Sequence, residues 1–352
     1  MSMSATEFAL RLAPMRLRFG TKAAVAVAEE LALLGLERVV VLSSASQVQA
    51  AQEFAAAVGG RVVEVFAGAV MHTPVEVTAR AVAFVRRVGA DGVVALGGGS
   101  TIGLGKAVAL HTGLPQVAVP TTYAGSEATA ILGQTEGGRK VTITDPRVQP
   151  EVVIYDPALV VGLPVGLTVT SGLNAVAHAA EALYARDRNR LTSALAVQGL
   201  QAMIGGLPKV VAAPGDLEAR AETQFGAFLC GLVLGQVGMS LHHKLCHVLG
   251  GTFGLPHAET HAVILPHALA YNAGFVGEAL APLDSLLGPG GMQGYARGLG
   301  APMALRDLGL AEGDLDRAAE VAVQNPYWNP RVVEFAAIRA LLGRAWAGDA
   351  VA

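Results

Sequence analysis

The chain has 352 residues, of which 52% are hydrophobic and only 15% are charged, and its net charge is −3. So apolar a chain buries enough surface to fold, which excludes intrinsic disorder. The small negative charge excludes a nucleic-acid partner held mainly by phosphate neutralisation. The length favours two domains.

The mean hydropathy of +0.47 requires a test for membrane spans. The longest uncharged runs, Thr223–Leu241 and Ala158–Ala177, contain glycines and lack flanking basic clusters or an aromatic belt. We predict buried core at both runs, no membrane partner, and no signal peptide within Met1–Phe19. The two cysteines cannot form a disulfide framework, so we predict a cytoplasmic protein with reduced thiols.

Strand and helix patterns alternate through the first 160 residues. In chain order they predict strand Arg38–Leu42, helix Ala45–Val58, strand Arg61–Phe66, helix Val75–Val88, strand Asp91–Leu96, helix Thr101–Thr112 and strand Gln116–Val119. Continuous apolar strands separated by helices predict a parallel sheet that is covered on both faces.

Beyond Pro164 the strand patterns stop, and Asp314 is predicted to cap one of the helices that follow. The predicted helices are Ser171–Arg186, Arg190–Ile204, Leu217–Leu234, Leu241–Leu249, Thr260–Ala273, Gly291–Leu299, Leu315–Val323 and Val332–Ala347. The change of pattern predicts a Rossmann-like α/β domain over residues 1–162 and an all-α domain over residues 163–352.

A glycine loop, Gly97-Gly98-Gly99-Ser100, lies between a predicted strand and a predicted helix that Ser100 can cap. Glycines at the carboxyl end of a parallel strand let the backbone approach a pyrophosphate, whose charge the helix N-terminus attracts. The loop Pro120–Glu127 follows the next strand and offers hydroxyls, including Thr121 and Thr122. Either loop alone is also explained as a simple turn, but the two together favour a nucleotide.

The residues after the first predicted strand bear on the choice of cofactor. An acid at this place would bind the adenosine ribose of NAD and repel the 2′-phosphate of NADP. Ser43 and Ser44 stand there instead, so the sequence predicts that both NADH and NADPH are used.

Histidines are concentrated in one part of the helical half, where six of the nine lie between His242 and His267. His243 and His247 are spaced i, i+4 on one helix face, as are Asn174 and His178 on an earlier helix. His257 belongs to a third segment.

Three imidazoles from separate segments could surround one metal or one substrate. A core role is the alternative for any single histidine. We interpret His111, His242, His261 and His267 as structural and leave His72 undecided.

Five segments together resemble the iron-containing alcohol dehydrogenase superfamily and, within it, the maleylacetate reductase branch. They are Gly97–Lys106, Pro120–Glu127, His242–Phe253, Leu255–His261 and Asn325–Pro330. The resemblance implies a dehydroquinate synthase-like fold. It also implies NADH- or NADPH-dependent reduction of the conjugated C=C bond of maleylacetate to 3-oxoadipate, in the degradation of aromatic compounds.

Metal-dependent members of the superfamily hold a divalent metal with one aspartate and three histidines. The matching positions here are Asn174, His178, His243 and His257, so a neutral amide replaces the anionic ligand and the affinity for a hard cation should fall. An acid in the helix after the glycine loop is matched by Gly103. The resemblance therefore implies that the metal is absent.

The resemblance also implies the roles of the site residues. The catalytic histidines would be His178, His243, His247 and His257, with His178 and His243 at the enolate oxygen or as proton donors. The two carboxylates of a small dicarboxylate substrate need donors, and the candidates are Asn174, Tyr123, Ser126 and Lys244. The cofactor would contact Gly97, Gly98, Gly99, Ser100, Thr121, Thr122, Ser43 and Ser44. The apolar composition favours a homodimer.

Three alternatives stay open. The first is a metal-dependent alcohol or aldehyde dehydrogenase of the same superfamily, because three histidines and a water can hold zinc. The second is a lyase built like dehydroquinate synthase, which would need a metal and several basic residues near the histidines. The third is a nucleotide-binding protein without catalysis, which would leave the histidine cluster without a purpose.

Overall fold

The computed structural model describes residues 8–10, 12, 14–137 and 139–351. The chain divides into two compact units between Leu163 and Pro164, one residue beyond the predicted boundary. Residues 8–10 group with the second unit, whereas the sequence placed them in the first.

The first unit is built on a parallel sheet, as the continuous apolar runs predicted. The strands in chain order are β1 (Arg16–Phe19), β2 (Val39–Ser44), β3 (Val62–Ala69), β4 (Gly92–Gly97), β5 (Gln116–Pro120), β6 (Ile131–Glu136), β7 (Arg139–Thr144) and β8 (Val152–Tyr155). Six of them form the parallel sheet in the order β1-β8-β5-β4-β2-β3, and β6 and β7 form an antiparallel ribbon. Because β4 lies between β2 and β5, the carboxyl ends of these three strands are neighbours.

Helices cover both faces of this sheet. They are α1 (Ala23–Leu34), α2 (Val48–Val58), α3 (Val75–Arg87) and α4 (Gly99–Thr112). Val41 packs in the core layer that contains α1 and α2, and the preceding Val40 packs in the layer that contains α3 and α4. Successive side chains of a strand point to opposite faces, so a strand that is buried on both sides is apolar throughout.

Two expectations for this unit need correction. The sequence missed β1, α1, the ribbon of β6 and β7, and β8, which are short strands or a helix without a clear polar face. Ser100 does not cap α4, because the helix already begins at Gly99 and Gly98 occupies the cap position.

The second unit is helical, and the part of it that the structure describes contains no strand. Its helices are α5 (Val165–Tyr184), α6 (Arg190–Ala212), α7 (Leu217–Leu234), α8 (Leu241–Phe253), α9 (His257–Ala273), α10 (Ala281–Asp284), α11 (Gly291–Gly298), α12 (Leu315–Val323) and α13 (Phe335–Ala347). Helices α5, α6 and α7 pack on one another, and α8, α9, α12 and α13 share a second apolar core.

Among the described residues, α6 alone has the length and apolar composition of a membrane-spanning helix, and half of the tested window is buried. It packs against α5 and α7, as a core helix does. The run Thr223–Leu241 is divided between α7 and α8, and Ala158–Ala177 continues from a loop into α5. Neither run forms one continuous helix.

Asp314 precedes α12 as predicted, but its side chain makes no capping hydrogen bond. A 3₁₀ turn over Glu312–Asp314 runs directly into the helix, so Asp314 has helical backbone angles instead of the extended conformation of a capping residue. Cys230 and Cys246 are buried thiols that form no disulfide.

Candidate active site

The glycine loop forms a cradle at the carboxyl end of β4. A Cβ on Gly97 would lie 2.5 Å from Thr101 Oγ1 and 3.1 Å from Gln47 Oε1, and the φ of Gly97 is +154°. A Cβ on Gly98 would lie 2.7 Å from the Thr122 methyl carbon. Only glycine fits at both positions without displacing a neighbour, and the N-terminus of α4 follows at once. A backbone without side chains beside a helix N-terminus suits a pyrophosphate.

The ends of β2, β4 and β5 are joined by hydrogen bonds around this cradle. Thr121 N donates to Gly97 O at 3.0 Å, and Gln47 Nε2 donates to Thr121 Oγ1 at 3.3 Å. Ser44 Oγ lies 3.0 Å from Ser46 Oγ. The structure therefore brings the predicted cofactor residues of three strand ends to one edge and adds Gln47, which the sequence did not indicate. Ser43 is the exception in exposure, because it is fully buried and its hydroxyl donates to Ser44 O at 3.3 Å.

Lys106 anchors the segment that follows the Pro120–Glu127 loop. Its ammonium group is buried and donates to Ser126 O and Thr129 O at 2.6 Å, to Ile131 O at 2.8 Å and to Thr129 Oγ1 at 2.9 Å. Burial lowers the pKa of Lys106 to about 7, against the opposite effect of Glu127. The contacts fix the loop from beneath, so Lys106 is a structural support for the cofactor edge.

Two predicted substrate contacts lie in the same loop. Tyr123 has no exposed surface. Ser126 has a buried hydroxyl without a hydrogen-bond partner among the described residues. Their contacts with substrate stay predictions.

Thr73 occupies the space beside Gly103, the position at which the metal-dependent enzymes carry an acid. A Cβ on Gly103 would lie 2.5 Å from Thr73 Oγ1. His72 and Thr73 have φ angles of 65° and 45°, a left-handed conformation that is uncommon for residues other than glycine. Thr73 thus fills the space that a side chain at position 103 would need.

The cradle can be tested with two alanine variants. Gly97→Ala is expected to lower the free energy of unfolding by about 1–3 kcal/mol and to raise the KM for NADH, because its Cβ collides with Thr101. Gly99→Ala is the matched control for the free energy of unfolding, since its Cβ meets only Ala124 at 4.0 Å. Thermal unfolding measures the loss of stability and cofactor titration measures the KM, and an equal loss of stability in the two variants would contradict the cradle.

In the helical unit, α5 and α8 bring three polar side chains into one buried cluster. The rings of His178 on α5 and His243 on α8 have centroids 5.1 Å apart. Asn174, one turn before His178 on the same face of α5, is also buried. Three buried atoms have no hydrogen-bond partner among the described residues, namely Asn174 Oδ1, His178 Nδ1 and His243 Nε2. Unpaired buried polar atoms are costly, so this cluster is a candidate ligand site.

The other histidines extend the cluster along α8 and α9. The ring centroid of His247 lies 6.2 Å from that of His243, and the ring centroids of His257 and His261 lie 4.4 Å apart. His242 Nε2 and His261 Nδ1 are 2.9 Å apart and share one hydrogen bond. His242 and His261 were interpreted from the sequence as structural. They pack against two of the predicted catalytic histidines, His243 and His257.

Cys246 Sγ lies near the same pair, so that the ligand atoms of His242, Cys246 and His261 fall within 4.8 Å of one another. This spacing resembles a metal-ligand set. The hydrogen bond between His242 and His261 accounts for both facing nitrogens without a metal.

Glu181 is the support that the sequence analysis missed. Its carboxylate is completely buried on α5. One oxygen, Oε2, accepts from His243 Nδ1 at 2.7 Å and from Ser240 N at 2.9 Å. The other, Oε1, accepts from His242 N at 2.7 Å. The Glu181 carboxylate thus fixes both the start of α8 and the orientation of the His243 ring.

Burial keeps the innermost histidines neutral. It is the main cause that holds the pKa of His178, His242 and His261 well below the ordinary value, and the neighbouring imidazoles lower each pKa further. Neutral imidazoles serve as hydrogen-bond partners and metal ligands.

Lys244 and Tyr327 lie at the outer side of α8. Lys244 Nζ donates to Gln324 O at 3.1 Å, and its contact with substrate stays a prediction. Tyr327 Oη lies 2.8 Å from His247 Nδ1. The sequence analysis quoted the segment that contains Tyr327 only as a mark of the family.

Two models of one protein family match most of the chain. The family model "Iron-containing alcohol dehydrogenase" matches residues 14–157, and the model of the C-terminal part of the Fe-containing alcohol dehydrogenase family matches residues 168–346. The chain therefore belongs to the iron-containing alcohol dehydrogenase family of oxidoreductases. The predicted combination of an α/β domain and an all-α domain is confirmed.

Within that family, the chain is similar to maleylacetate reductases. It is 58% identical to the maleylacetate reductase of Rhizobium sp. strain MTP-10005, over 97% of this chain and 98% of the relative. The crystal structure of that organism's enzyme has a TM-score of 0.93 at 57% identity, and covers 98% of this chain and 99% of its own. The maleylacetate reductase structure from Agrobacterium tumefaciens has the same TM-score at 55% identity, with the same coverage.

Proposed function

We propose that the protein is a maleylacetate reductase, which uses NADH or NADPH to reduce the conjugated C=C bond of maleylacetate and forms 3-oxoadipate. The observation that carries the proposal is the buried cluster of Asn174, His178 and His243 with unpaired polar atoms, in a chain 58% identical to a protein of that name.

The reaction needs a hydride and a proton. Hydride from the reduced nicotinamide adds to the alkene carbon β to the ketone, and the π electrons move to form an enolate. A proton then adds to the α carbon, which completes the saturated product. Histidines can donate to the enolate oxygen and supply the proton near neutral pH.

The metal that the family name implies is a separate question. The unpaired oxygen of Asn174 and ring nitrogens of His178 and His243 are donors that a divalent metal accepts, so these residues, with His257, fit such an ion. When bound, it would polarise the substrate ketone as a Lewis acid. We propose that the reaction does not require it, because an enolate is a weaker base than the alkoxide formed by carbonyl reduction, and because Asn174 contributes no charge.

We propose further that Asn174, Ser126 and Lys244 bind the substrate carboxylates and that the protein is a cytoplasmic homodimer. Support for a dimer comes from β1, an edge strand on which Leu17 and Phe19 are more than a third exposed. Light scattering of the purified protein measures the mass of the assembly.

The test of the proposed function is the oxidation of NADH and NADPH with fresh maleylacetate, before and after exhaustive treatment with EDTA. We expect turnover with both cofactors and no change after chelation. Turnover that EDTA abolishes and a divalent metal restores would establish a metal-dependent enzyme. Absence of turnover would overturn the proposed substrate, and strict use of NADH would overturn dual cofactor use at Ser43 and Ser44.

A further inference from the structure

Tyr327 is hydrogen-bonded to His247, one of the predicted catalytic histidines. The two side chains meet at 2.8 Å, through the phenol oxygen and Nδ1. His247 is half-buried, and so is Tyr327. Burial is the main cause that raises the pKa of Tyr327, and Glu181 adds to it, so the phenol keeps its proton at neutral pH.

The segment that carries Tyr327 is fixed on both sides of this contact. On one side, Lys244 Nζ donates to the carbonyl of Gln324 at 3.1 Å. On the other, Asn329 exchanges two amide hydrogen bonds of 2.8 Å with Asn272 on α9. Asn325 has a left-handed φ of 50°, a strained conformation that persists only where surrounding contacts enforce it.

Either group of this contact can donate, because a phenol oxygen both donates and accepts and the role of an imidazole nitrogen depends on its tautomer. Donation by the Tyr327 hydroxyl to Nδ1 places the ring proton of a neutral His247 on Nε2.

His243, one turn earlier on α8, is held through the same ring atom. The Glu181 carboxylate can only accept, so Nδ1 of His243 donates to it. The two histidines of this helix face therefore differ in the partner that Nδ1 meets, a carboxylate for His243 and a phenol for His247.

We propose that Tyr327 is a positioning residue that fixes His247 as the tautomer protonated on Nε2, and that His247 is the proton donor of the reaction. The inference rests on the proposed function and names the histidine that donates the proton to the α carbon. It differs from the expectation that His178 or His243 donates.

The proton balance involves both side chains. As the α carbon of the enolate takes the proton from His247 Nε2, the Tyr327 hydroxyl proton passes to Nδ1. His247 keeps one ring proton, and a water molecule returns a proton to the Tyr327 oxygen, which leaves hydroxide in solution. Because burial and Glu181 raise the pKa of Tyr327, the hydroxyl does not persist as a phenolate.

The test combines a spectroscopic and a kinetic measurement. Nitrogen-15 NMR of the histidine-labelled protein, without substrate or cofactor, is expected to show the His247 proton on Nε2, with His247→Gln used for assignment. Tyr327→Phe is expected to give a mixture of tautomers. It should also lower kcat at least about tenfold while the KM for maleylacetate stays within about twofold.

Tyr271→Phe is the matched control, because Tyr271 Oη donates to Val332 O at 2.6 Å and tethers the same segment without touching His247. We expect its kcat to match the wild type. A proton on Nδ1 of His247, an unchanged kcat in Tyr327→Phe, or an equal loss in Tyr271→Phe would each overturn the inference. A wild type that does not reduce maleylacetate overturns the proposed function instead, and the NMR measurement then decides alone whether Tyr327 fixes the tautomer.

Discussion

The protein is expected to lose stability steeply as the pH falls below about 6.5, because His178, His242 and His261 are buried and neutral in the folded state. Burial and the neighbouring imidazoles hold the pKa of all three well below the ordinary histidine value. In the unfolded chain each histidine takes up a proton near its ordinary pKa. The unfolded state then binds up to three more protons than the folded state, and the free energy of unfolding decreases as the pH falls.

The size of this effect follows from the proton count. Each additional proton changes the free energy of unfolding by about 1.4 kcal/mol per pH unit, so three approach about 4 kcal/mol per unit. The loss begins near the unfolded pKa and continues until the folded histidines themselves become protonated. Above about pH 7.5 the three groups are neutral in both states and contribute no slope.

Calorimetric unfolding at several pH values between about 5 and 8 measures this slope. His178→Gln is expected to reduce it by about a third, since one of the three sites is removed. His111→Gln removes an exposed histidine and should leave the slope unchanged. A flat profile in the wild type, or the same slope in His178→Gln, would contradict the neutral buried cluster.

The sequence predicted the elements whose pattern is local, and missed those whose existence depends on the sheet. Helices α7 and α12 have the predicted bounds, because each is set off by polar or loop residues at both ends. Strand β1 is only four residues long and alternates arginine with apolar residues. It becomes a strand because β8 pairs with it over the whole of that length, a partnership between segments more than 130 residues apart.

Dependence on long-range contacts also explains why some site residues were predicted and others were missed. The spacing of Asn174 and His178 defined a helix face, and Glu181, three residues further, continues that face at i+7 from Asn174. The pattern could have indicated Glu181 as a member of the site. Its bond to His243 spans 62 residues of sequence, however, and the contact of Tyr327 with His247 spans 80, so neither partner could be assigned before the helices were packed.

Replacement of Glu181 by glutamine is expected to impair both folding and catalysis. Each carboxylate oxygen accepts a backbone N–H, one from Ser240 and one from His242. An amide has one oxygen, so in either orientation its NH₂ group faces a backbone donor inside the protein. An unsatisfied buried donor costs about 1–3 kcal/mol, and we expect the free energy of unfolding to fall by about that amount.

The catalytic effect of Glu181→Gln comes from His243, whose Nδ1 proton the carboxylate holds. An amide cannot favour that tautomer as a carboxylate does. A hydrogen bond to a charged group contributes about 1.5–3 kcal/mol, so we expect kcat to fall about 10–100-fold. Glu127→Gln is the matched control, because Glu127 is equally buried but accepts from Tyr155 Oη at 2.6 Å and touches no histidine. We expect this control to retain the wild-type kcat, since a glutamine carbonyl can accept the same bond. Steady-state kinetics and thermal unfolding of both variants decide the matter. If Glu181→Gln kept both the wild-type kcat and the wild-type Tm, the carboxylate would hold neither His243 nor the start of α8.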